Sequence, residues 1–353
     1  MAVSSAATKA DDYTLFFDGY SDNYTQSVPV LDFFGSWKGA KEYHQGDRAY
    51  ANNFAQIGVQ YNKWSLATFY RYDYYIDMHP DVAEYRYLFH NHRDQLADKD
   101  YIYDFYEQRS NSQGLRLGYR FEPSDDLTVS SYLNIIHSVK FQDRDIKDGY
   151  INGKTKLGDA NINYHYNKDT LFTLSNVEQN PTGYGASVDI DVNYKIADDL
   201  VLDVSVKDLF HFIRFTDSPY TIGSFSVGHF IYDQDDVLQQ KPLADLMTHE
   251  GGEPVDFEQK LPLRVRAQLS KWIDNKYLLN VQYDTNEIDS STTVKGGYQF
   301  TNNSQIALSY NIDHRSIGLH SRYNTFYFNL VTDNPDFKYA NSLSLFMGFT
   351  VEL

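Results

Sequence analysis

Polar and apolar residues alternate along most of this chain with a period of two. From Tyr184 to Ile196, one face carries Tyr184, Ala186, Val188, Ile190, Val192, Tyr194 and Ile196. The other carries Gly185, Ser187, Asp189, Asp191, Asn193 and Lys195. Successive side chains of a strand point to opposite faces, so this is a strand with one apolar and one wet side. The same pattern recurs around Trp64–Tyr74, Leu115–Phe121, Leu261–Ser270, Leu279–Asp284 and Ile306–Asp313. The segments match the roughly 9–11 residues with which a tilted strand crosses a bilayer.

The spacing predicts strands near 12–20, 47–62, 63–77, 114–123, 127–138, 156–166, 170–178, 184–197, 199–213, 258–272, 276–285, 291–301, 304–315, 318–331 and 340–353. This odd tally conflicts with the even strand numbers of single-chain bacterial barrels, so at least one assignment is in error. Tyr220–Tyr232 is the candidate for a missed strand. Tight turns fall at Asn62-Lys63, Pro123–Asp126, Asn167–Asp169, Ala197–Asp199, Asp274–Lys276 and Thr301–Asn303, built from turn-forming residues. Longer polar stretches, 78–113, 139–155 and 216–257, lie between them. Short turns at one end and long loops at the other predict an all-β fold: a closed antiparallel transmembrane β-barrel of about 14–16 strands. A single barrel domain is expected over 12–353, with long loops near 78–113 and 216–257; residues 1–11 read as a tail, a possible signal-peptide remnant. One helical period, Pro80–Asp98, falls inside the first long loop. Its aromatic neighbours (Tyr85, Tyr87, Phe89, Tyr101, Tyr103, Phe105 and Tyr106) need a surface to pack on. That loop is expected to fold across the lumen, or else to extend outward as a hairpin.

Composition narrows the setting. There are 31 Tyr, 23 Phe and no Cys. Tyr suits a hydrocarbon–water boundary, and Tyr72, Tyr74, Tyr119, Tyr164, Tyr166, Tyr194, Tyr283 and Tyr310 are expected in girdles at the two interfaces. No apolar run approaches the ~18 residues that mark a spanning helix. The net charge of −17 argues against nucleic acid as a partner. Without cysteine there is neither a disulfide framework nor a thiolate metal site.

Leu343, Leu345, Met347, Phe349, Val351 and Leu353 alternate to the last residue. This segment resembles the C-terminal assembly signal of Gram-negative outer-membrane β-barrel proteins, departing from it at the final Leu, where that class ends in Phe or Trp. The resemblance implies the bacterial outer membrane and contact with its lipid.

In this register Arg71, Arg116, Arg120, Lys195, Lys207, Arg264, Arg266 and Arg322 point inward, together with Asp189, Asp191, Asp203, Asp284 and Asp313. Such a wall lines a polar pore with a transverse field, or neutralises itself inside a plugged barrel. Passive diffusion of small hydrophilic solutes is the leading expectation; an export barrel for polysaccharide or protein, and a structural or receptor barrel, are the alternatives. No cofactor is implied. His314-Arg-Ser316 has a same-face spacing, but no third partner completes a catalytic set. The run Asp143–Gly149 fails as a calcium loop, since Lys147 occupies a ligand position. Asp233, Asp235, Asp236, Glu250 and Glu253 read as a solvated acidic loop.

Overall fold

The computed structural model describes residues 13–168, 181–227, 231–232, 238–239, 244–251 and 255–353. Fourteen antiparallel strands close into a barrel. They are β1 (Tyr13–Thr25), β2 (Arg48–Tyr61), β3 (Trp64–Met78), β4 (Phe105–Ser124), β5 (Leu127–Asn152), β6 (Gly183–Ala197) and β7 (Leu200–Ser218). The second half comprises β8 (Arg264–Ile273), β9 (Tyr277–Thr285), β10 (Ser290–Thr301), β11 (Ser304–Asn311), β12 (Ser316–Tyr323), β13 (Phe326–Thr332) and β14 (Ser342–Glu352). Each pairs with its sequence neighbour, and β1 pairs with β14 from Thr14↔Glu352 to Tyr24↔Ser342. Closure gives each of the fourteen ring strands a partner on both sides, the condition for carrying a sheet through hydrocarbon.

The two faces differ as the alternation requires. Trp64, Leu66 and Tyr70 of β3 stand out on the exterior, whereas Arg71 and Asp73 are buried in the lumen. Ile57, Leu115, Leu133, Leu279, Leu308 and Ile317 continue the apolar exterior around the ring. At the short-turn end the turns hold Asn62, Asp274, Asn275 and Asn324 at positive φ, which short polar side chains tolerate. Tyr119, Tyr194, Tyr283 and Tyr310 are exposed on the outer face near strand ends, as boundary residues should be.

The strand tally resolves at two places. Residues 318–331 form two strands, β12 and β13, joined at Asn324 (φ 53°). The segment Gly158–Tyr166 is a strand outside the ring: the upper part of β5 pairs with it (Gln142↔Tyr166 to Ile151↔Gly158), while the lower part pairs with β6. It stands in line above β6, so Tyr164 and Tyr166 are fully buried above the apolar band, not in a girdle. The strand expected at 170–178 lies outside the described residues, as do the tail at 1–11 and the acidic side chains at 233–253. Tyr220–Val227 is indeed a strand, paired with Gly158–Tyr166, and Val255–Gln259 pairs with the top of β7.

The first long loop is shorter than the alternation implied. Residues 105–113 pair with β3 up to Phe105↔Met78. They run above the band, where no lipid demands an apolar face, so their polar composition concealed a strand. The remaining connection carries α2 (Pro80–Asn91), started by Pro80 and by His79 Nδ1 accepting the Asp81 N–H. It packs with the β1–β2 connection, which holds α1 (Val30–Phe33). Tyr87 stacks on Tyr43 at 5.3 Å and Arg86 lies 4.9 Å from the Trp37 ring. The Asn91 side chain donates to Trp37 O at 2.9 Å. Phe33 and Phe34 meet Tyr74, and Val82 and Ala83 join Ile76 and Met78 in one cluster. Tyr74, Ile76 and Met78 belong to the outer face of β3, opposite to Arg71 and Asp73. The aromatic loop therefore packs on the outside of the wall and not across the lumen. Tyr74 is a docking surface for α1, not a girdle residue.

Candidate functional site: the barrel lumen

The centre of the lumen is organised by one irregularity in β7. Val188 of β6 pairs with Phe210, but Ile190 pairs with Val206, so β7 carries a bulge opposite Asp189. Asp208 sits in that bulge at φ 59°, with no solvent exposure. Strict alternation would put it between Val206 and Phe210 on the lipid face; the bulge turns it inward. Its backbone N–H donates to Asp189 Oδ1 at 2.8 Å. Its carboxylate accepts both terminal nitrogens of Arg71 at 2.7 Å and Nη2 of Arg264 at 3.1 Å. Arg71 also donates through Nε to Asp73.

From this centre the network reaches both sides of the ring. Arg264 Nη1 donates to the Tyr20 hydroxyl at 3.0 Å. Tyr20 is on β1 and Arg264 at the start of β8, opposite each other in a ring of 14 strands. Arg116 donates to Asp189 at 2.5 Å and to Asn134 Oδ1 at 2.9 Å, with its guanidinium 3.9 Å from the Tyr132 ring centre. Lys207 and Ser205 bind Asp191 at 3.1 and 2.6 Å, and Asn193 donates to Asp203 at 2.6 Å. Each of these cations has a carboxylate, as removal from water demands.

Towards the outer mouth, an aromatic cluster takes over on the inner face. Phe69, Ile136, Phe141, Ile213, Phe215 and Leu261 are buried together, with Phe54 and Phe257 against them. Gln259 donates to Arg109 O at 3.1 Å, and Gln108 to Lys260 O at 2.6 Å, tying the segment before β8 to β4. Higher still, Arg48 of β2 reaches Ile288 O at 3.0 Å in the β9–β10 turn, which lies across the ring. His314 bonds Asp289 at 2.8 Å and stacks on Tyr24 at 3.8 Å.

The β9–β14 wall is built differently. Arg266 of β8 bonds Asp284 at 2.5 Å, and Gln282 shares that carboxylate. Asp22 accepts the Ser344 hydroxyl at 2.6 Å, and Asp18 accepts the Tyr327 hydroxyl at 2.5 Å. Lys295 and His320 are buried on the same inner face.

The expected lining residues thus fall into three places. Arg71, Arg116, Asp189, Asp191, Asp203, Lys207, Arg264, Arg266 and Asp284 share the lumen. Arg120, Lys195 and Arg322 lie at the short-turn rim, where Arg120 pairs with Glu122 and Lys195 with Asp198, each at 2.8 Å, and Arg322 leans on Asn324 O. Asp313 is exposed in the β11–β12 turn at the opposite end, where it accepts the Thr292 N–H at 2.7 Å. It closes a turn because the strand ends at Asn311, two residues short of where alternation suggested. Asp73, Asp208, Tyr20, Lys295 and His320 were missed. Asp73 had a signal in its same-face spacing from Arg71; Asp208 had none, because a bulge defeats a parity rule.

A closed antiparallel sheet with an apolar exterior band, a polar interior, short turns at one end and long loops at the other defines the class. The protein is a bacterial outer-membrane β-barrel. No protein-family model matches the chain, and no curated protein matches it. Among solved structures it is similar to a TodX deltaS2S3 mutant monoaromatic hydrocarbon channel (TM-score 0.45, 8% identity, 98% of this chain and 91% of that one). It is also similar to the Ralstonia pickettii toluene transporter TbuX (0.43, 7%, 98% and 90%) and to a Pseudomonas aeruginosa FadL homologue (0.37, 9%, 97% and 89%). Likeness at this level carries no argument about a route or a substrate.

Proposed function

We propose that this barrel is an outer-membrane channel for small polar solutes, with a restricted lumen rather than a wide water-filled pore. The observation that carries this reading is the Arg264–Tyr20 bond between opposite walls, anchored through Asp208 to Arg71. A polar, charged inner face fits hydrated solutes. Its bridging at mid-height fits passage of small molecules only, along the less tightly paired β9–β14 side. An export barrel for a polymer would need that bridge to part widely; a structural barrel would need no pathway at all.

Swelling of proteoliposomes in isotonic sugars tests it. Entry of a pentose with exclusion of a trisaccharide is the expected result. No entry of any solute, with the barrel folded as judged by heat-modifiable gel migration, would overturn it.

A second reading has one observation behind it. The Phe54, Phe69, Phe141, Phe215 and Phe257 cluster sets packed aromatic rings on the inner face, a surface that would suit an aromatic hydrocarbon such as those named for the toluene channels. Uptake of toluene that collapses on Phe141→Ser, with sugar entry absent throughout, would favour it.

A further inference from the structure

We propose that Lys295 is the centre of an anion-binding subsite in the lumen wall, taking the carboxylate or phosphate of a small solute. The inference rests on the polar-channel reading and names a substrate class for it.

The register places the residues. Asn280 of β9, Lys295 of β10 and Ser309 of β11 are successive cross-strand partners on the inner face. His320 of β12 reaches the same spot, with Nε2 2.7 Å from Ser309 Oγ. Lys295 is only 8% exposed. Among the described residues no carboxylate lies within ion-pair distance of its ammonium. The three carboxylates on this side are held elsewhere: Asp284 by Arg266 and Gln282, Asp22 by Ser344, and Asp18 by Tyr327 and Gln56.

A buried ammonium without a counter-charge is costly in a lumen where Arg71, Arg116, Lys207, Arg264 and Arg266 all have carboxylate partners. A group beside it is also unfilled. Asn280 Oδ1 is buried and has no hydrogen-bond partner. Asn280 uses its amide nitrogen on Leu269 O and Ser270 Oγ, so its oxygen is the free end. Lys295 supplies the charge an oxyanion requires, and the Asn280 amide oxygen can receive a hydroxyl or N–H group of the same solute. A charge-assisted bond to a desolvated ammonium is the strong contact of such a site.

The test is binding, measured apart from transport. Isothermal titration calorimetry of the folded, detergent-solubilised barrel with inorganic phosphate, and separately with acetate, is expected to show one saturable site. Lys295→Gln should weaken it at least tenfold and Lys295→Arg should largely restore it. Gel migration verifies that both variants are folded; His320→Gln, expected to weaken binding by a smaller factor, gives an independent route to the same site. Absence of saturable heat with the wild type, or equal binding by wild type and Lys295→Gln, overturns the site. Saturable binding by a barrel that admits no sugar into liposomes would leave the site standing and sink the channel reading instead.

Discussion

The two sides of this lumen solve the same problem in opposite ways. On the β3–β8 side, Arg71, Arg116, Lys207 and Arg264 each meet Asp73, Asp189, Asp191 or Asp208. The strand itself is bulged to bring Asp208 into place. On the β9–β14 side, Lys295 is buried without a carboxylate in ion-pair reach among the described residues, and the Asn280 amide oxygen beside it is unused. Charge that is fully paired inside a barrel is structure: it fills space and braces one wall against the other. Charge left unpaired in the same environment is retained for something that is not always there. The difference locates rigidity on one side and recognition on the other.

The largest expected effect comes from removing the brace. Asp208→Ala leaves Asp73 alone to balance both Arg71 and Arg264 in the lumen, and breaking a buried pair by deleting one partner costs about 3–5 kcal/mol. Urea unfolding of the barrel from lipid vesicles should register a loss of that order; a loss below about 1 kcal/mol would mean that water already dissolves the network. Ile190→Arg, on the outer face of β6, should cost about 2–4 kcal/mol near the bilayer midplane in the same assay. An unchanged midpoint would place that face outside the hydrocarbon.

Lys295→Met sharpens the contrast from the other side. Replacing an unpaired buried ammonium by an apolar chain of similar length should leave stability unchanged or raise it by up to about 1 kcal/mol. A drop comparable to that of Asp208→Ala would show that Lys295 has an ionic partner and belongs to the brace. The smallest effect is expected at the rim: Lys195→Gln breaks an exposed pair with Asp198, and no measurable shift in unfolding is expected.

Much of the barrel was legible in the chain because lipid on one face and water on the other impose the alternation directly. The alternation failed wherever one of those solvents was missing. Residues 105–113 are strand without an apolar face because they rise above the band, and Tyr164 and Tyr166 look like girdle residues but are buried under extracellular packing. The hairpin at Asn324 hid between two strands of like polarity, although an Asn that can adopt positive φ was there to be read. In the lumen, single residues were assigned by parity, which served for Arg71, Arg116 and Arg264. Parity cannot reveal which charges pair across the ring, because that depends on side chains from strands half a circumference apart. Asp208 lies beyond it altogether, since only the bulge turns the residue inward.

Arg264 and Tyr20 bridge opposite walls of the lumen, and in the proposed channel this bridge sets the size of the pathway. Single-channel recording in planar bilayers, comparing the wild type with Arg264→Ala, tests it most directly. A small, steady wild-type conductance that rises at least about twofold in the variant, with the barrel still heat-modifiable, is the predicted result. Equal conductances in the two proteins, or silence from both, would contradict it.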